Sequence, residues 1–276
     1  MLGWILFLIG SVGFGLASYL DLKTTEFPDW LPYSLIILAL LTRGIFSIIL
    51  NDVWIFLNSV LIGSLFLGFG LLLYFTKQWG DGDAWLLGCL GFLFPDSADF
   101  QISGLFPFPV VLFINFFFVS FFYLVIYSLF LGIKNPKVKN LFFNSIKENI
   151  KLISMAIIFI LIIFSGLILY FNYYFVPFQS NFYLILCFLI FVIFFFYYAK
   201  IIEEYLFKKE ISVNDLKEGD VLFEDKWKGL KKEDIEKLKK RGGKVYIKEG
   251  VRFALVFLIT LWITVFYGNL ALVFLI

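Results

Sequence analysis

Long apolar runs separated by short polar stretches are the dominant pattern along this chain. A helix needs about 20 mostly apolar residues to cross a bilayer, and the sequence offers eight candidate segments. They lie near 2–20, 31–50, 54–76, 84–95, 105–131, 151–171, 182–199 and 252–275. The segment at 84–95 is the shortest and ends at Pro95, which is compatible with a tilted or partial crossing.

One stretch interrupts this pattern with a polar, highly charged composition that starts at Glu203 and ends at Val251. Within it, residues 208–223 contain strand-like runs, and residues 230–243 have the spacing of a short helix that two glycines stop. Residues 244–250 then read as a strand. These patterns predict a small α+β insert before the last helix.

The composition supports a membrane protein, since 61% of the 276 residues are hydrophobic and only 16% are charged. A soluble domain needs more polar surface than this. We therefore predict an all-α polytopic membrane protein in the lipid bilayer. It should have about eight transmembrane helices, within a range of six to eight.

The basic residues indicate the orientation of the chain. Of the 23 Lys and Arg residues, 22 lie in the odd-numbered loops between the predicted helices, and the remaining one is Arg43. Basic loops stay in the cytoplasm. We therefore predict a multi-pass protein of the cell membrane with both termini outside, and with loops 21–30 and 77–83 and the insert inside.

Two aspartates lie at the predicted cytoplasmic ends of different helices, Asp21 in the first and Asp83 in the fourth. The chain has no histidine, which excludes Ser-His triads, Cys-His dyads and histidine metal sites. Two carboxyl groups that approach each other share one proton because their charges repel. Such a pair can activate water with one carboxylate and protonate a scissile amide with the other.

The second aspartate belongs to the stretch Gly80-Asp81-Gly82-Asp83. Glycines allow close backbone approach and unusual dihedral angles. Residues two apart on a helix point in different directions, so Asp81 and Asp83 cannot both face one cleft, and Asp83 is the better candidate. By itself, GDGD is also a common turn sequence, and Asp21 by itself could be a helix-end acid without chemistry.

These residues resemble two motifs of the type IV prepilin peptidases. The first motif corresponds to Asp21, Lys23, Pro28 and Leu31, and the second, GxGD, to residues 80–83 followed by Leu86 and Leu87. The chain is most similar to the archaeal preflagellin (prearchaellin) and prepilin peptidases. The resemblance implies a membrane-embedded aspartyl endopeptidase that removes the short basic leader of such substrate proteins at the cytoplasmic face.

The resemblance also implies roles for individual residues. Asp21 and Asp83 are expected to be catalytic, and support of the motif backbone is expected from Gly80, Gly82 and Pro28. Contacts with the substrate leader are expected from Asp81, Glu26, Asp29 and Lys23. No metal, cofactor or nucleic acid is expected. Bacterial members often have a four-cysteine zinc domain and a methyltransferase activity, and because those cysteines are missing here, only a protease is predicted. Trp85 stands where the family often has lysine.

The predicted organisation has four regions: a catalytic transmembrane domain (1–133), a cytoplasmic loop with an additional transmembrane pair (134–202), the soluble insert (203–250) and the last helix (251–276). Two other functions stay open, namely a proton- or cation-coupled transporter and a non-catalytic scaffold for pilus or archaellum assembly. A carrier is expected to hold its acids near the membrane midplane and to contain inverted repeats.

Overall fold

The computed structural model describes residues 1–97, 100, 106–173, 181–216, 219–223, 230, 232–248 and 250–270. Their secondary structure consists of ten α-helices, one short 3-10 helix (Val213–Asp215) and two short strands. The helices are α1 (Leu2–Thr24), α2 (Trp30–Ile49), α3 (Trp54–Phe75), α4 (Asp81–Leu93), α5 (Phe108–Ile133), α6 (Pro136–Glu148), α7 (Ile150–Tyr173), α8 (Asn181–Tyr205), α9 (Lys232–Arg241) and α10 (Leu255–Tyr267). The strands are β1 (Lys208–Ser212) and β2 (Lys244–Lys248).

Six of the described helices, α1, α2, α3, α5, α7 and α8, are long and apolar enough to cross a membrane. The prediction of an all-α polytopic membrane protein is therefore confirmed. The segments predicted at 84–95 and 252–275 form shorter helices than these six, since α4 and α10 have only 13 residues each. A helix of that length is about 20 Å long, against a hydrocarbon core of about 30 Å.

The two short helices end where the backbone cannot continue in a helical conformation. Phe94 leaves the helical region with φ −128° after α4, and Pro95 follows it. Gly268 ends α10 with φ 73°, in a region that glycine enters more easily than other residues. The predicted end of the last helix falls on residues 271–276, which lie outside the described residues.

Residues 1–123 and 250–270 belong to one compact unit of the structure. Within it, α3 and α4 approach closely, and a Cβ atom added at Gly70 would lie 2.7 Å from the carbonyl oxygen of Ala84. The hydroxyl of Ser59 also donates to the carbonyl of Phe92. Small residues at such contacts let membrane helices pack backbone to backbone.

The second unit contains the described residues between 124 and 249. It includes a helix that the sequence pattern did not predict, α6, which starts at Pro136 after the Asn135 side chain accepts the amide of Lys137. Pro at the first helical position and Asn at the cap are typical helix starts. Val138 of this helix is buried with Ile201 and Ile202 of α8.

The insert contains the predicted helix and strands. β1 and β2 pair antiparallel, with Ile211 opposite Val245. Gly242 and Gly243 both have positive φ and follow the last residue of α9. A small apolar cluster joins these elements and consists of Val213, Leu216, Leu230 and Ile235. Residues 217, 218, 224–229, 231 and 249 of the predicted insert lie outside the described residues.

A buried arginine fixes the C-terminal end of α4. Arg43 of α2 is 1% exposed, and its guanidinium lies 3.1 Å from the Asp96 carboxylate and donates to the carbonyl of Leu93. That carbonyl is at the last turn of α4, where helical partners are missing. Arg43, the one basic residue outside the odd-numbered loops, therefore stabilises the end of a helix.

We expect Asp96→Asn to lower the free energy of unfolding by about 1–3 kcal/mol, because it leaves the Arg43 charge buried without its partner. The double variant Arg43→Met/Asp96→Asn should lose less than the sum of the single variants. The measurement is the thermal midpoint in detergent. The control is Glu210→Gln, which breaks the exposed ion pair with Lys244 and should change little. Additive single-variant losses would contradict the assignment.

Candidate active site

Asp21 lies in the last turn of α1 and is only 6% exposed. Its Oδ2 accepts the backbone N–H of Ala254 at 2.9 Å, and the amide of Phe253 is a second donor to the same carboxylate. These amides stand at the N-terminal end of α10, where helix N–H groups have no helical acceptor. The positive charge of Arg252 also acts on this carboxylate.

Asp83 is the third residue of α4, and its side chain turns back to the start of the same helix. Its carboxylate accepts the backbone N–H of Gly80, the N-cap residue. An acid at the third position commonly bonds to the N-cap amide in this way. Unlike Asp21, this aspartate is therefore fixed by its own helix, and it is half-buried rather than buried.

The two aspartates lie close enough to interact electrostatically. Burial raises the pKa of the Asp83 carboxyl to about 7, and the charge of Asp21 adds to the rise, while the Gly80 amide opposes it. An acid with a raised pKa holds its proton at pH values below that pKa. Below about pH 7, Asp83 therefore holds a proton that the pair can use.

Asp81 has different surroundings from Asp83, although only one residue separates them. It is exposed, and burial of part of the side chain raises the pKa of its carboxyl, as does the charge of Asp29. The indole of Trp85 donates a hydrogen bond to it, which opposes this rise. Trp85 thus binds Asp81, and its ring packs edge-on against Tyr33 with 4.7 Å between ring centres.

The two glycines of the motif serve different purposes. A Cβ atom at Gly82 would lie 2.5 Å from the ring of Phe27, so the loop after α1 packs directly on the start of α4. Gly80 has ordinary extended dihedral angles, φ −72° and ψ 156°, which any residue can adopt. Its Cβ would lie at an ordinary 3.5 Å from Asp83 Oδ2.

The remaining predicted residues lie on the connection between α1 and α2. The carbonyl of Pro28 accepts the amide of Leu31 at 3.0 Å, in the first turn of α2. Glu26 and Asp29 are exposed. The ammonium group of Lys23 is also exposed and lies 5.9 Å from the centre of the Tyr19 ring.

Residues 7–131, which include both aspartates, match the model of the type IV leader peptidase family. This part of the chain is therefore similar to the type IV leader peptidase family. The start of α10, whose amides face Asp21, lies outside the matched residues.

Two archaeal relatives are similar to parts of the chain. Prepilin peptidase EppA of Methanothermobacter thermautotrophicus is 26% identical over 125 residues, which cover 42% of this chain and 32% of the relative. Preflagellin peptidase of Methanocaldococcus jannaschii is 35% identical over 91 residues, which cover 32% of this chain and 38% of the relative. The chain thus spans about a third of the length of these curated relatives.

The sequence did not predict that backbone amides at the start of α10 donate to Asp21. Residues 252–254 lie outside the leader peptidase segment, and Ala254 is 233 positions from Asp21. An amide donor has no side-chain signature, so no pattern in the sequence marks it. Among the described residues, no group of three or more Cys, Asp and Glu side chains converges as metal ligands.

We expect the Asp83 carboxyl to titrate near pH 7, protonated below and ionised above. Asp21→Asn should move this transition to lower pH, because it removes a negative charge that favours protonation. Infrared difference spectra between each protein and its Asp83→Asn counterpart give the carboxyl signal. Asp29→Asn is the matched control, since that charge acts on Asp81. A transition in the ordinary aspartate range would contradict the shared proton.

Proposed function

We propose that this protein is an aspartyl endopeptidase of the membrane that removes a short basic leader from prepilin- or prearchaellin-like substrates. The observation that carries the proposal is the electrostatic pairing of Asp21 and Asp83 across two helices, within the type IV leader peptidase segment. The names of the two relatives, a prepilin peptidase and a preflagellin peptidase, support the same substrate class.

The hydrogen bonds suggest separate roles for the two carboxyl groups. Asp21 receives two backbone N–H donors, and an ionised carboxylate, which only accepts hydrogen bonds, satisfies both. Asp21 is therefore the base. Asp83, whose carboxyl has its pKa raised to about 7, is the acid that gives up the proton.

In the reaction, Asp21 takes a proton from water while the water oxygen adds to the scissile carbonyl carbon. Asp83 gives its proton to the carbonyl oxygen, which produces a neutral tetrahedral intermediate. The proton on Asp21 then passes to the leaving nitrogen as the C–N bond breaks. Asp83 recovers its proton from a hydroxyl of the intermediate, so both groups return to their starting states.

The basic loops support a cytoplasmic position for this pair. Asp21 and Asp83 border loops 21–30 and 77–83, which belong to the set that holds 22 of the 23 basic residues, and such loops remain inside. Both termini would then lie outside. A substrate whose apolar helix rests in the bilayer presents its leader junction at this interface.

The exposed acids near the pair offer a contact for the leader. Glu26, Asp29 and Asp81 are exposed, and Asp29 acts electrostatically on Asp81. A leader rich in Lys and Arg would be attracted to such a group of acids. We further propose the four regions set out above, with residues 134–202 and the insert as additions to the catalytic domain.

Asp21→Asn and Asp83→Asn should each reduce cleavage of a prepilin-like substrate by at least about a thousandfold, and the double variant should be no worse than either single one, because the pair acts as a unit. The measurement is cleavage by purified protein in detergent or lipid. Asp52→Asn is the matched control, since the Asp52 carboxylate accepts the amide of Trp54 at the start of α3 and lies outside the pair.

Three other outcomes would reject the proposal. Near-wild-type cleavage by either single variant would contradict the assignment of Asp21 and Asp83 as the catalytic pair. Substrate uptake without cleavage in proteoliposomes would indicate a transporter. Full support of pilus assembly in cells by the double variant would indicate a scaffold.

Neutralising Glu26, Asp29 and Asp81 together should raise KM for a basic-leader substrate by about tenfold with little change in kcat, since each exposed charge contributes up to ~1 kcal/mol. A substrate with a neutral leader should be unaffected. The control variant neutralises Glu210, Glu233 and Glu236, which removes the same charge from the insert. Equal effects on both substrates would show that these acids do not select the leader.

A further inference from the structure

The segment that leads into α10 touches both aspartate segments. The amides of Phe253 and Ala254 donate to Asp21. The ring of Phe253 also packs against the indole of Trp79, with 5.8 Å between ring centres. Trp79 directly precedes Gly80, whose amide bonds to Asp83. One residue, Phe253, thus contacts Asp21 through its backbone and, through its ring, the tryptophan that precedes the Asp83 segment.

Other contacts hold this segment in place. The Tyr123 hydroxyl of α5 donates to the carbonyl of Arg252. Phe116, also of α5, lies against both Trp79 and Phe253, at 5.6 Å and 6.1 Å between ring centres. Buried aromatic contacts of this kind are each worth about 0.5–1.5 kcal/mol beyond the burial of their area. The segment is therefore anchored at its backbone and at its side chain.

We propose that residues 252–254, together with Trp79, are the positioning element that sets the distance and orientation between Asp21 and Asp83. This inference rests on the proposed peptidase function and assigns positioning residues to it. The element holds Asp21 through backbone amides at the start of α10, and it holds the Asp83 segment through the contact of two rings.

A helix N-terminus is well suited to this task. Asp21 lies near the C-terminal end of α1, where the carbonyl groups carry partial negative charge. The N-terminal end of α10 carries the opposite partial charge and supplies donors in a fixed direction. Backbone amides do not titrate, so they orient the carboxylate without giving it a proton.

Small displacements of such a carboxylate should have large effects. Misplacement of a reacting group by about 1 Å can cost about a hundredfold in rate. Loss of the positioning element should therefore lower kcat while KM changes little, because the exposed acids proposed to bind the leader are not part of it.

The first test removes the N–H that Asp21 accepts. Ala254 has φ −57°, which proline can adopt, and the first turn of a helix tolerates proline. Ala254→Pro should lower kcat about a hundredfold with KM within about threefold of wild type. Ala254→Gly restores the N–H and should bring kcat back to within about threefold. Equal loss in both variants would overturn the proposal.

The second test keeps every amide and changes only a ring. Phe253→Leu removes the contact with Trp79, and Phe257→Leu is the matched control. Phe257 stands one helical turn further on and packs on Phe116 and Phe253. At equal thermal stability, Phe253→Leu should lower kcat at least about tenfold more than Phe257→Leu. This comparison also tests the proposal if Ala254→Pro does not fold. Equal kcat values for Phe253→Leu and Phe257→Leu would overturn the proposal.

A third measurement does not depend on activity. The amides of Phe253 and Ala254 should exchange hydrogen at least about tenfold faster in Asp21→Ala than in wild type, because they lose their acceptor. Asp83→Ala should leave this exchange unchanged. Faster exchange in Asp21→Ala, together with no leader cleavage by the wild-type protein, would reject the peptidase function while the contact to Asp21 stands. Unchanged exchange in Asp21→Ala would reject the positioning element whatever the activity.

Discussion

The carboxylates of Asp21 and Asp83 lie inside an apolar helix bundle, and backbone amides at helix N-termini face both of them. An ionised carboxylate in apolar surroundings is costly unless donors replace its lost water. Gly80 supplies such a donor to Asp83, and Phe253 and Ala254 supply two to Asp21. A lysine or arginine in direct contact would neutralise the same charge. It would also favour the ionised carboxylate, so the pair could no longer share a proton.

α4 and α10 both begin beside the aspartates and have only 13 residues each. Their other ends need hydrogen-bond partners of their own, because the last carbonyl groups of a helix have no helical donor. Arg43 binds the carbonyl of Leu93 at the end of α4. Asn115 of α5 accepts the amide of Leu270 and donates to the carbonyl of Gly268 at the end of α10. Buried polar side chains thus replace the helical turns that a full-length span would have.

The site is assembled from distant parts of the sequence. The segment that matches the type IV leader peptidase family ends at residue 131, whereas α10 begins at Leu255. α10 belongs to the same compact unit as α1 and α4. The described residues from 124 to 249 form a separate unit. Folding of the proposed catalytic unit therefore has to bring both ends of the chain together around Asp21.

The sequence by itself determined the features that depend on local composition. Apolar runs predicted the membrane class and the six long helices, glycines predicted the end of α9, and the spacing of Asp81 and Asp83 predicted their separate directions. Tertiary structure alone decided which groups face the aspartates and where the short helices stop. Arg43 and Asp96 are 53 positions apart, and Asp21 and Ala254 are 233 apart. Hydropathy and periodicity describe neighbouring residues, so they carry no information about a hydrogen bond formed when distant helices pack.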